Sequence, residues 1–238
     1  MVTLNKKIKF NKIAKKVIEL EIQALQKLKK CIDSSFNRAV NAIVKCKSKI
    51  ILCGVGKSGL IASKISSTLS SVGSPSFTIS ANDSSHGDLG SISKNDVLIL
   101  ISNSGNTQEL KNIIQYANRN KITLIGITSK KKSILYKASD IKLFTPEVKE
   151  SGYGIVPTSS TTVQLCLGDA LAIASMQNRK FGKSDFKKIH PAGSLGNKLK
   201  TVEDLMLTKN KIPFVNENTN MKVALSSIIS KKLGLLII

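Results

Sequence analysis

A chain of 238 residues is long enough for one well-buried α/β domain with a smaller appendage, because single cores rarely grow past roughly 250 residues. Its 41% hydrophobic content reads as a globular protein, no apolar run approaches the ~18 residues of a membrane span, and the lysine-bearing start has no apolar segment behind it, which points to the cytoplasm rather than secretion. The formal charge of +22 invites a nucleic-acid partner, yet only Arg38, Arg119 and Arg179 are arginines and aromatics make up 4%, so the lysines are expected on solvated faces, with no nucleic-acid and no membrane partner.

Such a surface still draws in an anionic small molecule. Cys31, Cys46, Cys53 and Cys166 are scattered, without C-x-x-C spacing or a companion histidine, which predicts reduced, mainly buried thiols and no metal site.

Residues 12–47 open the chain with apolar positions at helical spacing, Ile13, Val17, Leu20, Ala24, Leu28 and Ile32, then Phe36, Ala39, Val40 and Ile43. Asp33 and Ser34 are expected to cap the second of these segments. From Lys49 the pattern changes to short runs rich in Ile, Val and Leu: KIILC, SFTIS, DVLILIS, ITLIGIT and DIKLFT. Between them Ile61, Ile65 and Leu69, then Leu110, Ile113, Ile114 and Ala117, repeat at helical spacing. Strands alternating with helices predict a parallel sheet covered on both faces, with ligands at the carboxyl ends of its strands. A long helix over about Ser159–Arg179, carrying Gly168, Ala170, Ala172 and Ala174, is expected to be deeply buried. Beyond Thr201 the pattern suggests a strand at Ile212–Val215, a helix from Met221 to Ser230 and a terminal apolar strand, LGLLII. A buried-looking strand with no following partner reads as a truncated second domain.

The stretch IILCGVGKSG, Ile50–Gly59, resembles two phosphate-binding patterns. A P-loop needs glycine five residues before Gly56, where Ile51 stands. The dinucleotide fingerprint expects an acidic residue ending the second strand, and SFTIS supplies none. What remains is a backbone-rich turn at a helix N-terminus, able to hold any phosphate. A second such loop, ISNSGNTQEL, offers the hydroxyls of Ser102, Ser104 and Thr107, with Gly105 admitting close backbone approach. Two Ser/Thr-rich loops around Lys57 and Ser58 suit a terminal phosphomonoester better than a pyrophosphate.

The stretches GVGKSG, SSHGDLG, ISNSGNTQE, PTSSTT, GDALA and HPAGSLG, in this order, resemble the sugar isomerase (SIS) domain of the arabinose 5-phosphate isomerases, over about Ala14–Leu199. The tail from Thr201 is similar to the first half of a CBS domain. The resemblance implies an α/β fold, an SIS-type three-layer αβα sandwich with a parallel five-stranded sheet and N-terminal helices. The divisions it suggests are a helical lead-in over 1–48, an SIS domain over 49–199 and a partial CBS segment over 200–238.

It also implies interconversion of D-ribulose 5-phosphate and D-arabinose 5-phosphate through an enediolate, which feeds Kdo and lipopolysaccharide synthesis, with no cofactor and no metal. The family's catalytically relevant residues fall on Lys57, Glu109, Glu150 and His190. Lys57 would stabilise the substrate and enediolate, Glu150 or Glu109 would move the C1/C2 proton, and His190 would shuttle a proton between oxygens or open the ring. Substrate contacts fall on Ser58, Gly73, Ser74, His86, Ser102, Asn103, Ser104 and Thr107. His190 lies far along the chain from the loops, so a homo-oligomer, dimer or tetramer, is expected, one subunit reaching its neighbour's site.

Three departures stand out: Ser80 replaces a histidine that can bind inhibitory metal, SGYG replaces the Cys-Pro following the catalytic glutamate, and Asn106 replaces a glutamate. The competing reading is an SIS regulator that binds a sugar phosphate without turning it over. Only about 45 residues precede the first strand, too few for a helix-turn-helix domain beside the lead-in helices.

Overall fold

The computed structural model describes residues 9–190 and 200–238. Two compact units divide at residue 189/190.

In the first unit α1 (Phe10–Cys31) and α2 (Ser34–Lys45) precede β1 (Ile50–Gly54), α3 (Lys57–Ser71) and β2 (Ser76–Thr78). There follow β3 (Val97–Ile101), α4 (Lys111–Arg119), β4 (Thr123–Thr128), α5 (Ile134–Ala138) and β5 (Ile141–Phe144). The long helix α6 (Ser159–Asn178) and the short α7 (Lys183–Ile189) close the unit. Asp33 caps α2 as expected, its carboxylate accepting from Ser35 N at 2.8 Å. Neither α5 nor α7 is foreshadowed by the apolar periodicity, because five and seven residues are too few to show a helical repeat.

The five strands form one parallel sheet in the order β2-β1-β3-β4-β5. Successive side chains of a strand point to opposite faces, and the runs of Ile, Val and Leu supply both. Ile50, Leu52, Val97, Ile99, Ile101, Ile125 and Ile127 pack with α1, α2, α3 and α6 on one side. Ile51, Cys53, Leu98, Leu100 and Leu124 pack with α4 and α5 on the other. The result is a three-layer αβα sandwich. Strand β2 stops at Thr78, shorter than SFTIS suggested, because an edge strand has only β1 to pair with.

Helix α6 buries Val163, Gln164, Leu167, Gly168, Leu171 and Ala172, but Ala170 is exposed and Ala174 only half-buried. It is buried along one face, not throughout. Of the free cysteines only Cys53 is buried; Cys31 and Cys46 are intermediate and Cys166 is exposed, so the expectation of mainly buried thiols fails. Burial pushes the Cys53 thiol up to about 12, outweighing the Gly54 backbone hydrogen bond, so it stays protonated. Among the described residues no helix is long and apolar enough to cross a membrane.

At the amino-terminal edge, buried Asp96 accepts from Lys49 Nζ at 2.9 Å, Lys49 N at 3.3 Å and Ser93 N at 2.6 Å. Desolvation pushes its pKa up, but hydrogen bonds from Ser48, Ser93 and Lys49 outweigh it and hold it below the ordinary value. A depressed carboxylate pKa contributes stability above the unfolded value, lost as pH falls through the folded one. Asp96→Ala is expected to cost about 3 kcal/mol at neutral pH and less as the pH falls toward the folded pKa. Urea unfolding across that range checks both.

The second unit, from His190, contains α8 (Val202–Leu205) and α9 (Met221–Lys231). Thr201 and Asp204 form a reciprocal capping box on α8. The two strands expected here reduce to one parallel bridge, Phe214 to Ile237, with α9 as predicted. Phe214 is 62% and Ile238 72% exposed, and among the described residues of this unit the apolar runs enter no sheet.

Candidate active site

In the order β2-β1-β3-β4-β5 the chain leaves β1 toward one edge and returns to β3 on the other side of it, so the carboxyl ends of β1 and β3 flank the topological switch point. Both Ser/Thr-rich loops sit there. The first turns sharply at Gly56, whose φ of 59° suits glycine and which caps α3. Lys57 is the first residue of α3 and is exposed. A cation at a helix N-terminus opposes the helix dipole, and among the described residues Lys57 has no ion-pair partner. Ser58 Oγ donates to Oε1 of Gln164 at 3.2 Å. Gln164 is 1% exposed, and sequence reasoning missed it; a polar side chain amid the apolar face of α6 was the available signal.

The second loop is built from its own hydroxyls. Ser102 Oγ lies 2.8 Å from Thr107 Oγ1 and 3.5 Å from Ser104 Oγ, and accepts from Gly105 N at 2.9 Å. Ser104 Oγ accepts from Asn106 N at 3.3 Å, and Asn106 Oδ1 accepts from Ile134 N at 2.9 Å. Asn103 O accepts from Ser129 Oγ at 2.8 Å, fixing the loop to the end of β4. Gly105 has φ 66°, and a Cβ there would strike Ser133 and come within 2.6 Å of Thr128 Oγ1. Gly105→Ala should therefore destabilise the fold by roughly 2–4 kcal/mol, from left-handed strain and overpacking, and weaken phosphate binding. Thermal unfolding with and without inorganic phosphate reads both effects.

Glu109 lies on the 3-10 turn Gln108–Leu110 that leads from this loop into α4, and is exposed. His86 ends the turn Asp83–His86 beyond β2, which Asn112 ties to α4 by donating to Ser85 Oγ at 3.0 Å. Glu150 follows β5 and is half-buried. Its Oε2 accepts from Thr158 N at 2.9 Å, Thr158 Oγ1 at 3.2 Å and Ser160 N at 3.3 Å. Desolvation raises its pKa, but hydrogen bonds from Ser160 and Thr158 together hold it below the ordinary range, so the group is an ionised carboxylate. Thr158 is a second residue that sequence reasoning did not single out, although PTSSTT is among the stretches that carry the SIS resemblance.

Lys57, Ser58, Ser102, Asn103, Ser104, Thr107, Glu109, His86 and Glu150 thus all lie on segments following the carboxyl ends of strands. Gly73 and Ser74 do not join them within this chain. They precede β2, at the opposite edge, because the chain leaves the end of α3 there before entering the sheet. Gly73 O accepts from Arg179 Nη1 at 2.6 Å, and Ser74 is fully buried. His190 opens the second unit and is half-buried; the rest of HPAGSLG lies outside the described residues.

The SIS domain family model matches residues 42–174, more than half of the chain. The chain is 40% identical over 233 residues to the arabinose 5-phosphate isomerase KdsD of Yersinia pestis, covering 97% of this chain and 71% of that one. It is 42% identical over 226 residues to KdsD of Francisella tularensis, covering 93% and 69%. Among solved structures, an E. coli CFT073 protein in complex with arabinose 5-phosphate superposes with a TM-score of 0.72 at 35% identity, over 79% of this chain and all of that one.

Proposed function

Because the chain belongs to the SIS domain family, and within it to the arabinose 5-phosphate isomerases, we propose that it interconverts D-ribulose 5-phosphate and D-arabinose 5-phosphate. The observation that carries this reading is the pairing of a hydroxyl-lined loop with an ionised carboxylate at the same edge of the sheet. The first suits a phosphate and the second suits a proton transfer.

The substrate phosphate is held by Ser58, Ser102, Asn103, Ser104 and Thr107, with the N-terminus of α3 contributing its free amides. Lys57, which has no ion-pair partner among the described residues, neutralises the oxyanion that develops when the C1/C2 proton leaves. Glu150 takes that proton from one carbon and returns it to the other, passing through an enediolate. It is preferred to Glu109 because its carboxylate is fixed in place, whereas Glu109 is exposed. His190 moves the proton between the two oxygens and assists ring opening, and His86 contacts the sugar. Nothing in this sequence of steps calls for a redox cofactor. The protein acts in the cytoplasm as a homo-oligomer, and its product supplies Kdo and lipopolysaccharide synthesis. Residues 200–238 are read as a partial CBS segment appended to the isomerase domain.

The test is turnover of D-ribulose 5-phosphate beside unphosphorylated D-ribulose, with binding of each measured by calorimetry. Conversion that depends on the phosphate is expected. Tight binding of the phosphorylated sugar without conversion would favour a sugar-phosphate-binding regulator instead.

A further inference from the structure

Pro157–Thr162 is one of the stretches that carry the resemblance to the arabinose 5-phosphate isomerases, yet the proposed reaction gives none of its residues a part. Its place in the fold suggests one. Thr158 immediately precedes α6, and both its amide and its hydroxyl reach Oε2 of Glu150, at 2.9 Å and 3.2 Å. The same hydroxyl accepts from Ser151 N at 3.0 Å, so it braces the chain directly after Glu150 as well. Val156 O, at 3.3 Å, competes for the single hydroxyl proton. The charged carboxylate is the stronger acceptor and wins it. The hydrogen bonds from Thr158 N, Thr158 Oγ1 and Ser160 N all fall on Oε2, and the Ser160 hydroxyl further favours the charged carboxylate.

We propose that Thr158 is a positioning residue for Glu150, tying Oε2 to the first turn of α6 so that Oε1 is presented as the working oxygen. The inference rests on the isomerase reading, in which Glu150 transfers the proton. Glu150 lines an open cavity of about 1270 Å³ between α1 and the segment 149–154. The charged and titratable groups sharing that cavity are Lys9, just before α1, and Lys12, Lys15, Lys16 and Glu19 of α1, with Lys149 and Tyr153 from its own segment. All of them stay in place when Thr158 is changed, so any shift in the titration of Glu150 reports the lost hydroxyl.

In Thr158→Val the donor is removed while the burial, the two amides and the Ser160 hydroxyl remain. The carboxylate loses part of what favours its charged form, and Glu150 titrates at higher pH. The experiment combines a carbon-13 NMR titration of labelled glutamates, Glu150 being identified by its absence in Glu150→Gln, with the pH profile of kcat/KM. The expected result is a Glu150 titration and an acid limb both moved to higher pH and a roughly tenfold loss of kcat/KM, the size of one hydrogen bond to a charged group. Thr158→Ser should restore both. Loss of activity with Glu150 titrating as in the wild type, or a serine variant that behaves like valine, would overturn the proposal. Thr158→Ala gives the same reading should valine disturb the start of α6. A wild-type protein that turns over no sugar phosphate would defeat the isomerase reading, and the NMR titration would still decide whether Thr158 governs Glu150.

Discussion

Glu150→Gln is expected to lower kcat by about 100- to 10,000-fold while the protein stays folded. The amide keeps an oxygen where Oε2 stood, so Thr158 N and Ser160 N retain an acceptor. What disappears is the base. The stability of the variant also depends on pH differently. Glu150 has a depressed pKa in the folded protein, so it contributes stability above its unfolded pKa that is lost as the pH falls through the folded one. The wild type should therefore lose more stability on acidification than the glutamine variant. Unfolding midpoints at neutral and acid pH, beside kcat at neutral pH, separate the two roles. Equal kcat in the two proteins would remove Glu150 from the chemistry.

The second large effect is expected at Lys57. Lys57→Gln should lower kcat/KM by roughly 100- to 1,000-fold, as expected when a group stabilising a developing oxyanion is lost. Its unfolding temperature should be unchanged or slightly raised. The lysine stands at the first position of α3, where a cation opposes the helix dipole, and it is exposed. A residue whose removal abolishes activity without harming stability is one retained for function. A variant that loses stability and activity in step would instead make Lys57 a structural residue.

These predictions draw on a fold whose central layer was readable from the residues. Each of the five apolar runs contains a strand; the central three, β1, β3 and β4, are buried on both faces and need Ile, Val and Leu there, while the edge strands β2 and β5 are only partly buried. The loops after β1 and β3 were readable for a related reason: Gly56 and Gly105 adopt positive φ, and glycine marks such turns in a sequence. Features built from tertiary contacts were not readable. The pairing of Ser58 with Gln164 spans 106 residues, and the hold of Thr158 on Glu150 depends on how α6 meets the end of β5. Gly73 and Ser74 carry no sign in the sequence of which edge of the sheet they occupy; the three-residue strand that follows them decides it. In the second unit apolar runs suggested two strands, but a run becomes a strand only when a neighbour pairs with it, and Phe214 and Ile237 form a single bridge.

The central claim is that this chain moves a proton between C1 and C2 of a pentose 5-phosphate. It is tested most directly by proton NMR of D-ribulose 5-phosphate with the purified protein in deuterated buffer, beside Glu150→Gln. The account predicts D-arabinose 5-phosphate carrying solvent deuterium at C2 with the wild type, and little or none with the variant. Sugar phosphate that binds and is never converted would contradict it.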